Sequence, residues 1–262
     1  MPRLAPLVGL SLATLLALTA CSSPSEDSPE ASSEAASSSE ASPGPSAAPP
    51  SDGQQPTAPG DAGSGGAGTY SSEELAAILG EVTQADGQAL QVIPAAQLDQ
   101  GMDRAREFLE SVVITPAECS VFVSNSLEAP DGAGFAAGVS GSNGDAVQTV
   151  LSVSSSSDTA FTQRRLDAAS AAMDACASFS VEAQGVVLEQ TVQTVDAATD
   201  ADGTFGNLTL QSSADGARQE TMTIIGTRGD LAVTAVRTAR DTLPAGTQDE
   251  LQDLVDETLA TR

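Results

Sequence analysis

The chain of 262 residues contains no His, no Lys and no Trp, and it has a single Tyr. These absences exclude more chemistry than any motif present adds. Without His there is no imidazole to act as a general base near neutral pH, and none to ligate a transition metal. Without Lys there is no Schiff-base amine and no phosphate-loop lysine. Ser is plentiful, but a Ser nucleophile would have only carboxylates to activate it. Cysteine is scarce, with Cys21, Cys119 and Cys176 making three. Positive charge is also scarce. Ten Arg face 36 acidic residues, a net charge of −26. Such a chain repels nucleic acid and anionic headgroups, so a nucleic-acid partner is excluded.

One long apolar run is present, Leu4 to Ala20, behind Met1-Pro2-Arg3. Its position, its length and its single leading charge read as a secretory signal peptide rather than a membrane span. Leu18-Thr19-Ala20-Cys21 then matches the lipobox of bacterial lipoproteins. The expectation is cleavage after Ala20, a diacylglycerol on the Cys21 thiol and an acyl chain on the freed amine. The protein would then be anchored to the outer face of the cell membrane. A plain secretory signal and a retained anchor helix are the alternatives.

Lipidation of Cys21 changes the cysteine count. Cys119 and Cys176 would remain as one pair in an oxidising compartment. Two free thiols or half a metal site stay open, but a zinc site finds no His here. No cofactor is called for.

Residues 21–69 are a different kind of sequence. From Ser22 to Thr69 they are Ser, Ala, Pro and Gly with scattered acids, and no aliphatic side chain exceeds Ala. A segment that cannot bury apolar surface is expected to stay disordered. As a flexible tether it spans roughly 40 Å. Gly63-Ser64-Gly65-Gly66-Ala67-Gly68 has neither the Lys nor the flanking strand of a phosphate loop and reads as linker. Arg as the sole base, with abundant Ala, Gly, Asp and Val, is the pattern of a high-GC genome such as an actinobacterium.

Residues 70–262 are long enough for one domain with a sizeable core. Ser71 and Glu74 form a capping box ahead of Leu75, Ile78, Leu79 and Val82. Leu98, Met102, Ala105, Leu109, Val112 and Val113 continue at helical spacing. Thr115 to Glu118 reads as a second capping box, with Pro116 first in a short helix. The period then becomes two. Phe135 to Val139 and Val147 to Val153 flank an Asn143-Gly144 turn. Asp158 caps a predicted helix carrying Phe161, Leu166, Ala169, Met173, Cys176 and Phe179. Four more strands are predicted around Val186–Val192, Phe205–Leu210, Met222–Gly226 and Leu231–Ala235. Their turns are Asp202-Gly203, Asp215-Gly216 and Arg228-Gly229. Thr247 and Glu250 box a last helix with Leu251, Leu254, Val255 and Leu259. The prediction is an α+β domain: about six antiparallel strands, one face wet, helices packed on the other, one disulfide. The Ser- and Thr-rich wet face would form a shallow concave surface.

Candidate chemical groups are few. Asp196, Asp200 and Asp202 cluster at a turn, but their spacing does not match a calcium loop. Gly138-Val139-Ser140-Gly141 is a broken nucleophile elbow. Arg228-Gly229-Asp230 spells an adhesion tripeptide but is explained as a hairpin turn. Asn207-Leu208-Thr209 is a glycosylation sequon on a predicted strand. No catalytic or metal-binding residue is assigned.

The order of these segments resembles the extracellular sensor domain of the mycobacterial kinase PknH and related actinobacterial lipoproteins. Tyr70 to Gly80 is similar to that family's first helix, Thr115 to Cys119 to its first-Cys region, and Phe161 to Cys176 to the helix ending in the partner Cys. The family's Trp before the second Cys and its second disulfide are missing, and no binding residue is carried over. The resemblance implies a non-enzymatic sensor or ligand-binding module without a kinase domain. A small envelope ligand or a surface protein would be its partner, beside the membrane reached through Cys21. An adaptor role and a carboxylate-dependent hydrolase are the rival readings.

Overall fold

The computed structural model describes residues 69–261, apart from 86, 125–129, 131 and 142–145. Cys21, the tether and the Asn143-Gly144 turn therefore lie outside the described residues. Within them, nine strands form one antiparallel sheet. They are β1 (Gln91–Val92), β2 (Val113–Thr115), β3 (Gly134–Ser140), β4 (Val147–Ser155), β5 (Ser178–Ala183), β6 (Val186–Thr194), β7 (Gly203–Ser213), β8 (Arg218–Arg228) and β9 (Leu231–Arg240). The helices are α1 (Ser72–Glu81), α2 (Ala95–Glu110), α3 (Val121–Ser124), α4 (Thr159–Ala172) and α5 (Thr247–Ala260). The strand order is β1-β3-β4-β9-β8-β7-β6-β5-β2. The α+β class, the antiparallel sheet and the disulfide are as predicted; the strand number is nine and not six.

The three additional strands have physical reasons for being missed. β1 and β2 are two and three residues long and show no period. β5 continues from a segment whose apolar spacing stays helical through Phe179. The α4 helix instead stops at Ala172, and Phe179, Val181 and Ala183 alternate inward on β5. A tight turn follows, with Gln184 and Gly185 at φ 53° and 77°. Both positive values suit the twist of a two-residue hairpin.

Helices cover both faces, which corrects the one-faced prediction. Neighbouring residues on a strand point to opposite faces. Ala136 packs with Leu75, Leu79 and the α5 residues Leu251 and Leu259, whereas Ala137 packs with Ile93 and Leu98. So α1 and α5 lie on one face and α2 on the other. Arg237, buried on the first of these faces, pairs with Glu250 at the start of α5 and donates from Nε to Thr149 Oγ1 at 2.9 Å. A carboxylate in a first helical turn is also favoured by the helix dipole.

This ion pair explains a failed capping box. Glu250 serves Arg237, and the α5 N-cap is Gly246 at φ 84°. The Thr115–Glu118 box also fails: Pro116 precedes a 3-10 turn at Ala117–Ser120 without a side-chain cap. The Ser71–Glu74 box forms in full. Its hydrogen bonds from the Ser71 backbone and hydroxyl hold the Glu74 carboxyl below its ordinary value.

Candidate ligand cleft

Cross-strand pairing decides which side chains share the second face. Asn207 lies opposite Thr223, and Thr223 opposite Val236. Thr209 lies opposite Thr221. Gln190 faces Gln211, which faces Gln219. Thr234 faces Ser152. The middle of this face is thus a ladder of uncharged hydroxyls and amides, with Val236, Ile225 and Phe205 set among them. Several already bond one another. Gln190 Nε2 donates to Gln211 Oε1 at 2.9 Å, and Asn207 Nδ2 donates to Thr209 Oγ1 at 3.1 Å. An amide has two donors and two lone pairs, so one such bond leaves capacity to spare.

The ladder is the floor of a cleft of about 370 Å³. One wall is α2, with Met102 and Leu109 turned toward the space, and another is α4, with Phe161 and Leu166. A third comes from the disulfide cluster. Cys119 and Cys176 are bonded, with Cα atoms 5.5 Å apart, and both are fully buried. They pack with Phe179, Val181 and Val192. Phe122 stacks on Phe179 at 6.3 Å between centroids, and both rings line the cleft. The bond therefore joins the turn before α3 to the segment before β5. Cys176 lies just beyond α4 rather than within it, as the sequence had suggested.

Three charged residues line the cleft: Asp158 just before α4, Arg165 midway along α4 and Asp230 in the β8–β9 turn. Asp158 is at the N-cap position, but its side chain pairs with Arg164 at 2.7 Å instead of capping. That guanidinium lowers the Asp158 carboxyl below its ordinary range. Asp230 accepts from Ser155 Oγ at 2.6 Å, and Ser155 Oγ accepts from the Tyr70 backbone N–H at 2.9 Å. The Arg165 guanidinium lies 5.4 Å from the centre of the Phe161 ring, within cation–π range.

Of the other sequence candidates, the Asp196 carbonyl accepts from Gln248, the Asp200 N–H donates to Asp256 and its carbonyl accepts from Arg228, and Asp202 Oδ2 accepts from the Gly229 N–H. No group of three potential metal ligands occurs among the described residues. Arg228-Gly229-Asp230 forms the β8–β9 turn, and Arg228 donates to the Leu259 carbonyl at 3.2 Å. Asn207 and Thr209 of the sequon face the cleft floor, and Asn207 is buried. The sequence points to an open sheet face or a cleft between sheet and helices; the cleft forms on the face expected to be wet, with α2 and α4 as its walls.

No family model matches the chain, and no curated protein does. Among solved structures, the extracellular domain of PknH from Mycobacterium tuberculosis matches with a TM-score of 0.45 and 13% identity, covering 72% of this chain and 92% of that one. An uncharacterized protein from Mycobacterium smegmatis matches with a TM-score of 0.37 and 16% identity, covering 58% and 76%. At these values the likeness carries no argument about function, which rests on the cleft.

Proposed function

We propose that this protein is a lipid-anchored envelope lipoprotein whose folded part binds a small ligand in the cleft and performs no catalysis. The observation that carries this reading is the cleft itself: a concave space with apolar walls and many convergent polar groups, as ligand sites have. The state of its acids supports binding without turnover. The Arg164 guanidinium holds the Asp158 carboxyl below its ordinary range, opposite to the upward tuning of a carboxylic general acid. Asp230 is engaged by Ser155. The two buried, facing carboxylates that a hydrolase would require are not found among the described residues, whose buried polar side chains are Thr, Ser, Gln, Asn and Arg.

Native mass spectrometry of the full chain, purified from its own envelope under oxidising conditions, tests the binding reading. The expected result is a bound mass that leaves on denaturation. A bare protein mass would shift the weight to an adaptor role. One feature favours that second reading: Val113 and Val187 are 58% and 45% exposed, and they flank Glu182 in one cross-strand row near the sheet edge.

The anchor has its own test. Replacing Cys21 with Ser removes the thiol that would take the lipid. The variant is expected to leave the membrane fraction for the soluble one. If it stays with the membrane, lipidation is not what holds it there.

A further inference from the structure

We infer that the cleft takes an uncharged amphiphile, with a hydroxyl- or amide-rich head on the sheet and a hydrocarbon chain against α2 and α4. This rests on the reading of the cleft as a binding site and adds the ligand's chemical class.

Three features of the cleft select that class. The first is the floor. Its polar groups are hydroxyls and amides, each able both to donate and to accept. Not one floor residue on β4, β6, β7, β8 or β9 is charged. The folded part carries 29 acidic and nine basic residues, so a neutral floor is a departure from the rest of the surface. A head that both donates and accepts, such as a sugar, matches it.

The second feature is the walls. Met102, Leu109, Phe161 and Leu166 face the same space. A bare sugar would leave these side chains against water. A bare hydrocarbon would strip water from the floor and return no hydrogen bonds, at a cost for each unpaired group. Only a molecule with both kinds of surface satisfies both. The volume of about 370 Å³ lies in the range of small-molecule sites.

The third feature is the charges at the rim. Asp158 is paired with Arg164, and Asp230 sits in the β8–β9 turn, accepting from Ser155, rather than on the ladder. Arg165 lies over Phe161 beside the α4 wall rather than on the floor.

The test is calorimetric titration of the full chain with octyl β-glucoside in its monomeric range, with glucose and with octanoate. Octyl glucoside is expected to bind saturably, with the other two at least tenfold weaker. Thr223→Val keeps the shape and removes one floor hydroxyl. It is expected to weaken the glucoside roughly fivefold and to leave octanoate unchanged. Ser152→Ala serves as the second floor variant and should act in the same direction.

Octanoate binding as tightly as the glucoside would overturn the neutral head. Unchanged glucoside affinity in both folded variants would also overturn it. Either result leaves the cleft reading standing. Failure of all three probes overturns the amphiphile class, and the native mass measurement then decides the cleft reading separately.

Discussion

Replacing Cys119 and Cys176 together with Ala is expected to lower the unfolding free energy by about 4 kcal/mol. The two residues are 57 apart in sequence. Cross-linking a loop of that length removes much of its freedom in the unfolded chain, and the chain-entropy argument then gives the figure above. For a domain of this size the midpoint should fall by on the order of 10 °C. The structure adds where the damage would appear. Phe122 and Phe179 meet beside the bond and line the cleft. The core under α1 and α5 is a separate cluster. Reduction should therefore loosen the cleft wall before it disturbs α5. Hydrogen exchange with and without reductant, beside thermal melts of the double variant, measures both effects. Equal melting points for the oxidised, reduced and substituted proteins would show that the bond contributes nothing to stability.

Gly226→Val is expected to cost about 3 kcal/mol through overpacking. Gly226 lies on β8, opposite Val233 of β9 and Thr204 of β7. A Cβ at this position would come within 2.5 Å of Val255 Cγ1 and 3.2 Å of the Ala201 Cβ. Real Cβ atoms do not approach that closely, so α5 must rise or the sheet must bend. Here the absence of a side chain is what lets the helix seat against the backbone. Adding Val255→Ala to the Gly226→Val chain removes the nearest atoms and should restore part of the loss, a non-additivity expected of residues in contact. Denaturant melts of the two single variants and the double variant decide the matter. If Gly226→Val unfolds at the parental midpoint, α5 does not pack as described.

Much of this fold was legible because its signals are local. The Ser71–Glu74 box needs only four consecutive positions, and both of its hydrogen bonds form. The hairpin at Asp215-Gly216 needs only a turn that accepts Gly at φ 87°. The strands β7 and β8 alternate Thr, Asn or Gln with larger apolar residues, which marks one wet face each. Where local signals compete, the reading failed. Apolar residues from Phe161 to Phe179 fit a helix, yet Val181 and Ala183 extend the same stretch as a strand. Glu250 fits a capping box, yet a buried Arg237 from β9 takes its carboxylate. The sequence does carry one signal of the second helical layer. β3 carries Ala136 and Ala137 in succession, and β9 opens Leu231-Ala232-Val233, runs that point to burial on both faces.

The candidate site was legible in part. Neutral polar strands announced the floor, but nothing in α2 or α4 says which side of the sheet they cross to. That choice depends on the β4–β9 pairing, which aligns Ser155 with Leu231 and Val147 with Ala239. It places the first hairpin beside the later meander and brings α2 and α4 over the same floor.

The amino-acid sequence alone determined the kinds of chemistry available and most of the elements, because these depend on residue identity and on spacings within one segment; it left Cys119–Cys176 as the expected pair, and the structure shows the bond. Only the tertiary structure decided the strand order, the side each helix covers and the existence of a walled cleft. Those depend on which distant segments bury one another, a free-energy comparison made over the whole chain rather than within any one stretch of it.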